Sequence, residues 1–205
     1  MTDLPQRGPL LVSAVRLSVA TIVWNGCVGA ASLVVALVDP SLALAGLALT
    51  ALLDSSASVV LVWRFRKEQR DPVAAEHFER RALTWVGVAI LSIAAFVGVQ
   101  AVRGLADRSH PETSAAGIAL AAAALLVLPF LGRLKLRVAS RLGSAALRGD
   151  GILTVASAAL AAATLAALLV NSALGWWWAD PSAALLIALA LASEAVRIAI
   201  RHRVA

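Results

Sequence analysis

The sequence predicts an all-α, polytopic membrane protein: a bundle of six transmembrane helices with both termini in the cytoplasm. Of its 205 residues, 60% are hydrophobic, and the mean hydropathy is +0.86. Only 15% are charged, whereas a soluble domain carries about 25%. The charged residues also cluster between long uncharged runs. We therefore expect lipid to be the solvent for most of the chain.

Six apolar segments account for the six predicted crossings. Each is close to the roughly 20 residues that a helix needs to span the hydrocarbon of a bilayer. We expect one transmembrane domain over residues 1–205, with no soluble domain and with charged connectors at residues 64–81 and 132–149. The predicted helices cover residues 11–38, 41–63, 83–102, 114–131, 152–174 and 182–200.

Local sequence features support the individual helices, from the first segment to the sixth. The first segment is long, and Arg16 near its start is expected to extend toward the interface. Asp-Pro pairs at residues 39–40 and 180–181 precede the second and sixth segments, where aspartate favours an N-cap and proline the first helical turn. Segments four and five are rich in alanine, which allows close helix packing in lipid. The tryptophans at residues 176–178 are expected to mark the outer interface.

The distribution of lysine and arginine predicts the orientation. Of the 18 basic residues, all except Arg103 and Arg108 fall on one side of the six predicted crossings. Cytoplasmic loops carry this excess. We therefore expect a multi-pass protein of the cytoplasmic membrane with both termini inside the cell.

The net charge of +6 and the pI near 11.2 do not indicate a nucleic-acid-binding protein. The basic residues lie in short clusters between apolar runs, and no soluble platform is predicted, so anionic lipid headgroups are the expected partner. The single cysteine, Cys27, excludes a disulfide framework. We expect it to be a small buried hydrophobic residue.

Asp54 is the ionisable side chain predicted to lie deepest in the membrane. It is near the middle of the second segment, and Thr50 and Ser58 lie one helical turn to either side on the same face. Asn25 is at a similar depth in the first segment. A charge at this depth is costly unless it is paired, protonated or hydrated. Asp54 is therefore a candidate cation ligand or proton carrier, or else a protonated aspartate that joins helices by hydrogen bonds.

The fifth segment supplies a second group of polar residues. Asp150 precedes the segment, and Thr154 and Ser157 follow it at helical spacing. Asp150 is either part of a cation site or the N-cap of the fifth helix. The candidate cation ligands are Asp54 first, and then Asp150, Thr50, Ser157, Thr154 and Asn25.

Several stretches of the sequence resemble the transmembrane domain of the cation diffusion facilitator family of metal efflux proteins, in particular members that lack a cytoplasmic metal-binding domain. The matching text is T-I-V-W-N at 21–25, S-L-A-L-A-G at 41–46, L-L-D-S-S-A-S-V-V-L-V-W-R-F at 52–65, G-D-G at 149–151 and N-S-A-L-G-W-W-W-A-D-P-S-A-A-L at 171–185. The resemblance implies six helices in a homodimer that exchanges zinc or a similar divalent cation for protons. It implies no permanently bound cofactor.

The resemblance also implies a tetrahedral metal site made by two ligands on helix two and two on helix five. On helix two these positions fall on Thr50 and Asp54, and on helix five they fall on Leu153 and Ser157. Asp150 matches an aspartate that the family often carries just before the helix-five pair. Hydroxyl groups are poor zinc ligands and leucine is none, so the sequence supports the family fold more firmly than its zinc chemistry.

The sequence leaves more than one function open. The first is a secondary cation transporter of the proton-coupled, zinc-type efflux kind. The second is a transport-inactive member that serves as a membrane scaffold or subunit. A small multidrug exporter is a third possibility, although the segments lack an aromatic lining. We expect no enzymatic activity, because no catalytic constellation of histidine, cysteine and carboxylate is present.

Overall fold

A computed structural model describes residues 4–38, 42–70, 75–108, 115–174 and 176–204. These residues form six α-helices and no strand, which confirms the predicted helical membrane bundle. The helices are α1 (Leu4–Val38), α2 (Leu42–Arg70), α3 (Ala75–Ala106), α4 (Ala115–Leu142), α5 (Ala145–Leu174) and α6 (Ala179–Val204). Each helix extends beyond its predicted apolar segment at one end or both, because an apolar run marks the hydrocarbon layer while the helix continues into the polar interface.

The helices pack as a closed ring in the order α1, α2, α3, α6, α5, α4. The most extensive contacts are between α1 and α2, between α4 and α5, and between α3 and α6. α5 also contacts α2 and α3 across the ring. The two helices that carry the predicted carboxylates, α2 and α5, therefore meet inside the bundle.

The outer surface is apolar, as a lipid-facing surface must be. Leu126 is 80% exposed and Leu186 is 68% exposed, and Phe130 and Trp85 also face outward. Over the described residues, five helices, namely α1, α3, α4, α5 and α6, are long and apolar enough to cross a membrane. Cys27 is exposed on this surface, so its predicted burial is wrong. A thiol on a lipid-facing helix can stay apolar without being buried in protein.

The apolar core fills the space between α2, α3, α5 and α6. Phe65 and Leu61 of α2, Ile90 of α3, Leu147 of α5 and Leu191 of α6 are almost completely buried and belong to one cluster. This packing holds α2 and α5 at a fixed separation. It also surrounds the buried polar residues with side chains that offer no hydrogen bonds.

A tight turn, and not a loop, joins α4 to α5. The predicted connector at residues 132–149 is wrong, since only Gly143 and Ser144 lie between the two helices. Gly143 has a φ of +66°, and Ser144 N donates to Ala139 O at 3.1 Å. This pattern is a glycine C-cap of the Schellman type. Ser144 then caps α5, because its Oγ accepts from Leu147 N at 3.1 Å.

Charged residues hold three helices together at the end of the bundle where this turn lies. Glu79 of α3 accepts hydrogen bonds from Ala146 N at 2.8 Å and from Ser144 Oγ at 3.1 Å, both at the start of α5. Its other carboxylate oxygen pairs with Arg64 of α2. Arg64 also pairs with Glu68 at 2.9 Å. Glu79 thus joins α2, α3 and α5 at one point, which we call the Glu79 junction.

The helix starts predicted from the two Asp-Pro pairs compare differently with the structure. Residues 39–41 lie outside the described part of the chain, and α2 is described from Leu42. α6 begins at Ala179, three residues before the predicted start. Next to it, the rings of Trp176 and Trp178 stack with centroids 5.3 Å apart. The sixth helix therefore begins close to the predicted position, but the predicted N-cap at Asp180 is wrong, because the helix begins one residue earlier.

Candidate cation site

Asp54 lies on the face of α2 that points into the bundle. Its side chain is buried, with 2% of the residue exposed. Oδ2 accepts a hydrogen bond from Asn25 Nδ2 of α1 at 2.7 Å. Oδ1 is buried and has no hydrogen-bond partner among the described residues. Asp54 therefore has one oxygen held by α1 and one oxygen available to an ion or a proton.

One turn further along α2, a second group of polar atoms surrounds Lys135. Its Nζ lies 2.6 Å from Asp150 Oδ2, 3.1 Å from Thr154 Oγ1 and 3.3 Å from Ser58 Oγ. Ser58 Oγ donates to Asp150 Oδ1 at 2.9 Å, and Thr154 Oγ1 donates to Asp150 O at 3.0 Å. An ammonium has three N–H donors, and each has an oxygen acceptor here. We call the oxygens of Ser58, Asp150 and Thr154 the oxygen cage.

The oxygen cage depends on a close approach between α4 and α5. A Cβ added at Gly132 of α4 would lie 2.7 Å from Val155 Cγ2, and one added at Gly151 of α5 would lie 3.0 Å from a Leu136 methyl. Both glycines therefore remove side-chain bulk from the interface between the helices. Gly149 performs the same function on another face of α5, where an added Cβ would lie 2.7 Å from Val86 of α3. The glycines of G-D-G thus let α5 pack closely on both sides of Asp150.

The short turn sets the register of Lys135 against Asp150. Along α4, Lys135 is about 10 Å from the last helical residue, since a helix rises about 1.5 Å per residue. Along α5, Asp150 and Thr154 are about 8 Å and about 14 Å from the first helical residue by the same rise. Lys135 consequently reaches α5 between these two residues. Its Nζ contacts both of them.

The electrostatics of the site depend on three buried charged groups. Asp54, Asp150 and Lys135 are almost or completely inaccessible. If all three are ionised, they carry one net negative charge. Ser58, one helical turn from Asp54 on α2, contacts both Lys135 and Asp150, so the three charged groups lie close together. A buried ion pair is tolerated when further hydrogen bonds satisfy it, as Ser58 and Thr154 do here.

The structure brings some of the predicted ligands together. Asn25 and Asp54 form one hydrogen-bonded pair, Asp150 and Thr154 belong to the oxygen cage, and Ser58 connects α2 to that cage. The N-cap interpretation of Asp150 is wrong, because Ser144 caps α5 and Asp150 lies in its second turn.

The other predicted ligands are less directly placed. Ser157 Oγ donates to Leu153 O of its own helix at 3.1 Å. Thr50 is half-buried one turn before Asp54. Leu153 is completely enclosed in the apolar core. Within the described ranges, no three histidine, cysteine, aspartate or glutamate side chains form a group able to hold a metal ion. A metal site at these residues stays a prediction.

Lys135 was not predicted as part of the site. The sequence placed it in a connector because basic residues were counted as cytoplasmic loop residues. Two signals could have located it. Leu142-Gly143-Ser144 combines a helix-ending glycine with a helix-starting serine. The second signal is that Lys135 completes a helical series of apolar residues at steps of three or four, namely Leu128, Leu131, Ala139 and Leu142.

An all-helical bundle with an apolar outer surface, and with a buried cluster of carboxylates, an ammonium and hydroxyls, defines a polytopic membrane protein of the transporter class. The family model for the cation efflux transmembrane domain matches residues 18–203. The chain therefore belongs to the cation efflux family, as the sequence resemblance indicated. A comparison with curated proteins gives no match.

Proposed function

We propose that this protein is a secondary transporter that moves a divalent, zinc-type cation across the cytoplasmic membrane in exchange for protons. Membership of the cation efflux family supports cation transport. The observation that carries the proposal is the buried carboxylate of Asp54. Its Oδ1 has no hydrogen-bond partner among the described residues. A carboxylate in this position can hold a cation in one step and a proton in another.

The surroundings of Asp54 support a binding role over a purely structural one. Asn25 orients the carboxylate through Oδ2 and leaves Oδ1 to a ligand. Asp150 lies nearby on α5, where Ser58 holds it through Oδ1. A cation at Asp54 would therefore find one available carboxylate oxygen, with Asp150 beside it in its ion pair with Lys135. Carboxylate and neutral oxygens suit a hard or borderline divalent ion.

Replacement of the carboxylate tests this proposal. Asp54→Asn keeps the shape of the side chain and removes its charge, so we expect cation flux to fall at least tenfold in reconstituted proteoliposomes. The matched control is Ser56→Asn, which introduces the same side chain on the exposed face of α2. Flux that survives Asp54→Asn in a folded protein would exclude Asp54 as the binding carboxylate.

Transport-inactive function as a membrane scaffold or subunit is the second candidate. It is favoured by the ion pair between Lys135 and Asp150, which satisfies one of the two carboxylates without any bound ion. The two candidates differ in their response to cations. A scaffold would show neither flux nor stabilisation by zinc, cobalt, manganese or iron(II).

The assembly and the orientation belong to the same proposal. The family resemblance implies a homodimer, and the distribution of basic residues supports cytoplasmic termini. Protons as the exchanged ion are supported by the single available oxygen of Asp54. We further propose that the protein is not an enzyme.

A further inference from the structure

We infer that the Lys135 ammonium is a tethered cation that occupies the oxygen cage and competes there with the divalent substrate. This inference rests on the proposed function, since it specifies what the substrate must displace. Lys135 Nζ lies 2.6 Å from Asp150 Oδ2 and within hydrogen-bond distance of Ser58 and Thr154. Oxygens from two helices thus surround one positive charge, as they would surround a bound cation.

Because Lys135 is buried, its ammonium competes with any divalent cation that enters the site. Lys135 and Asp150 are both 0% exposed, so water cannot screen the ammonium from an entering ion. A divalent cation that enters beside Lys135 would bring two positive charges next to a third. Access to Asp150 therefore requires the ammonium to withdraw from the oxygen cage.

The charges of Asp54, Asp150 and Lys135 together suggest how the ammonium takes part in transport. With Lys135 in place, the ionised site carries one net negative charge, which is located on Asp54. With Lys135 withdrawn, Asp54 and Asp150 together match the charge of one divalent ion. The position of Lys135 thus sets whether the site accepts a single or a double positive charge.

Cobalt binding tests the competition. Lys135→Met removes the charge and keeps an unbranched apolar side chain. In detergent, we expect this variant to bind Co²⁺ about tenfold or more tightly than the wild type by isothermal titration calorimetry. Arg137→Met is the matched control, because Arg137 lies two residues away on the exposed face of α4. It should bind Co²⁺ like the wild type. A folded Lys135→Met that binds Co²⁺ no more tightly than the wild type overturns the inference.

A second measurement applies if Lys135→Met does not fold. Lys135→Ala leaves space for a small amine, so ethylammonium added during purification should raise its folded yield and its melting temperature. Neither the wild type nor Lys135→Ala/Asp150→Asn should respond. Absence of any ethylammonium effect on Lys135→Ala overturns the inference.

The inference and the proposed function fail in different ways. The proposed function is measured as Asp54-dependent flux in the wild type. The inference is measured as a change in cation binding when Lys135 is neutralised. A wild type without flux, together with tighter Co²⁺ binding by Lys135→Met, would refute transport and support only the competition between Lys135 and a divalent cation.

Discussion

At the scale of single residues, the buried pair of Lys135 and Asp150 is the dominant feature. Both side chains are fully buried and lie 2.6 Å apart. Removal of an ion from water costs several kcal/mol, and the pair recovers this only through good geometry and additional hydrogen bonds. Ser58 and Thr154 provide those bonds. The pair should therefore be sensitive to the loss of either partner.

The cost of breaking the pair can be measured. Asp150→Asn should destabilise the protein by about 3–5 kcal/mol, because it leaves the ammonium without its counter-ion. The double variant Lys135→Met/Asp150→Leu should recover most of that loss, since it removes both charges. The measurement is the free energy of unfolding in mixed micelles.

An ion pair with one exposed partner provides the contrast. Arg148 is 48% exposed on its side chain and lies 3.4 Å from Glu194. Glu194 also pairs with Arg197 at 3.4 Å. Arg148→Met should therefore cost less than about 1 kcal/mol. Equal losses from Arg148→Met and Asp150→Asn would contradict this account of burial.

At the scale of helices, α4 and α5 form a close hairpin that places the site. The turn at Gly143 and Ser144 sets the register, and Gly132 and Gly151 set the distance between the helices. The contact between Lys135 and Asp150 follows from both. A substitution at Gly132 or Gly151 should therefore shift the backbone of α4 or α5 and alter the contact between Lys135 and Asp150.

Gly132→Ala tests this dependence. The new methyl would lie 2.7 Å from Val155 Cγ2 and 3.3 Å from Val155 N. The resulting overpacking should cost about 1–3 kcal/mol. Val155→Ala in the same chain should relieve part of the cost by removing Cγ2. The control is Gly26→Ala in α1, where nothing lies within 4 Å of the new Cβ. An unchanged melting temperature for Gly132→Ala would show that the helices separate without strain.

The Glu79 junction gives a second prediction at this scale. Glu79→Ala removes the partner of a buried Arg64 and the acceptor for Ala146 N. We expect a loss on the order of 3 kcal/mol. Glu76→Ala removes the same charge from the exposed face of α3 and should have little effect. Similar melting temperatures for the two variants would exclude a structural role for the junction.

At the scale of the whole molecule, the ring of six helices presents apolar side chains outward and encloses the polar residues at its centre. The exposed leucines exclude water as the surrounding solvent for this face. The Glu79 junction and the turn between α4 and α5 lie at the same end of the bundle. The basic residues predict that this end faces the cytoplasm.

Cysteine labelling tests the orientation. In a Cys27→Ser background, Ser140→Cys and Asp107→Cys each place one thiol at an exposed position, at the ends of α4 and α3 that lie at opposite ends of the bundle. A membrane-impermeant maleimide should label Asp107→Cys in intact cells and Ser140→Cys only after the membrane is opened. Labelling of both from outside would exclude the predicted topology.

The helical class, the six helices and the family could all be predicted from the sequence alone, and Asp54 could be named as the candidate binding carboxylate. These conclusions depend on apolar length and on a carboxylate within an apolar run, which are local properties of the chain. The N-cap alternative for Asp150 and the connector at residues 132–149 were wrong for a related reason. Each was inferred from a local pattern without knowledge of the neighbouring helix.

The pairing of Lys135 with Asp150 could be found only in the folded structure. The contact joins α4 to α5, and the hydrogen bond from Ser58 to Asp150 spans 92 positions of sequence. Both depend on the distance between helices, which the glycines and the turn set together. A lysine next to charged neighbours has the same local sequence whether it faces water or a buried carboxylate. Its burial follows from which side of α4 packs against α5.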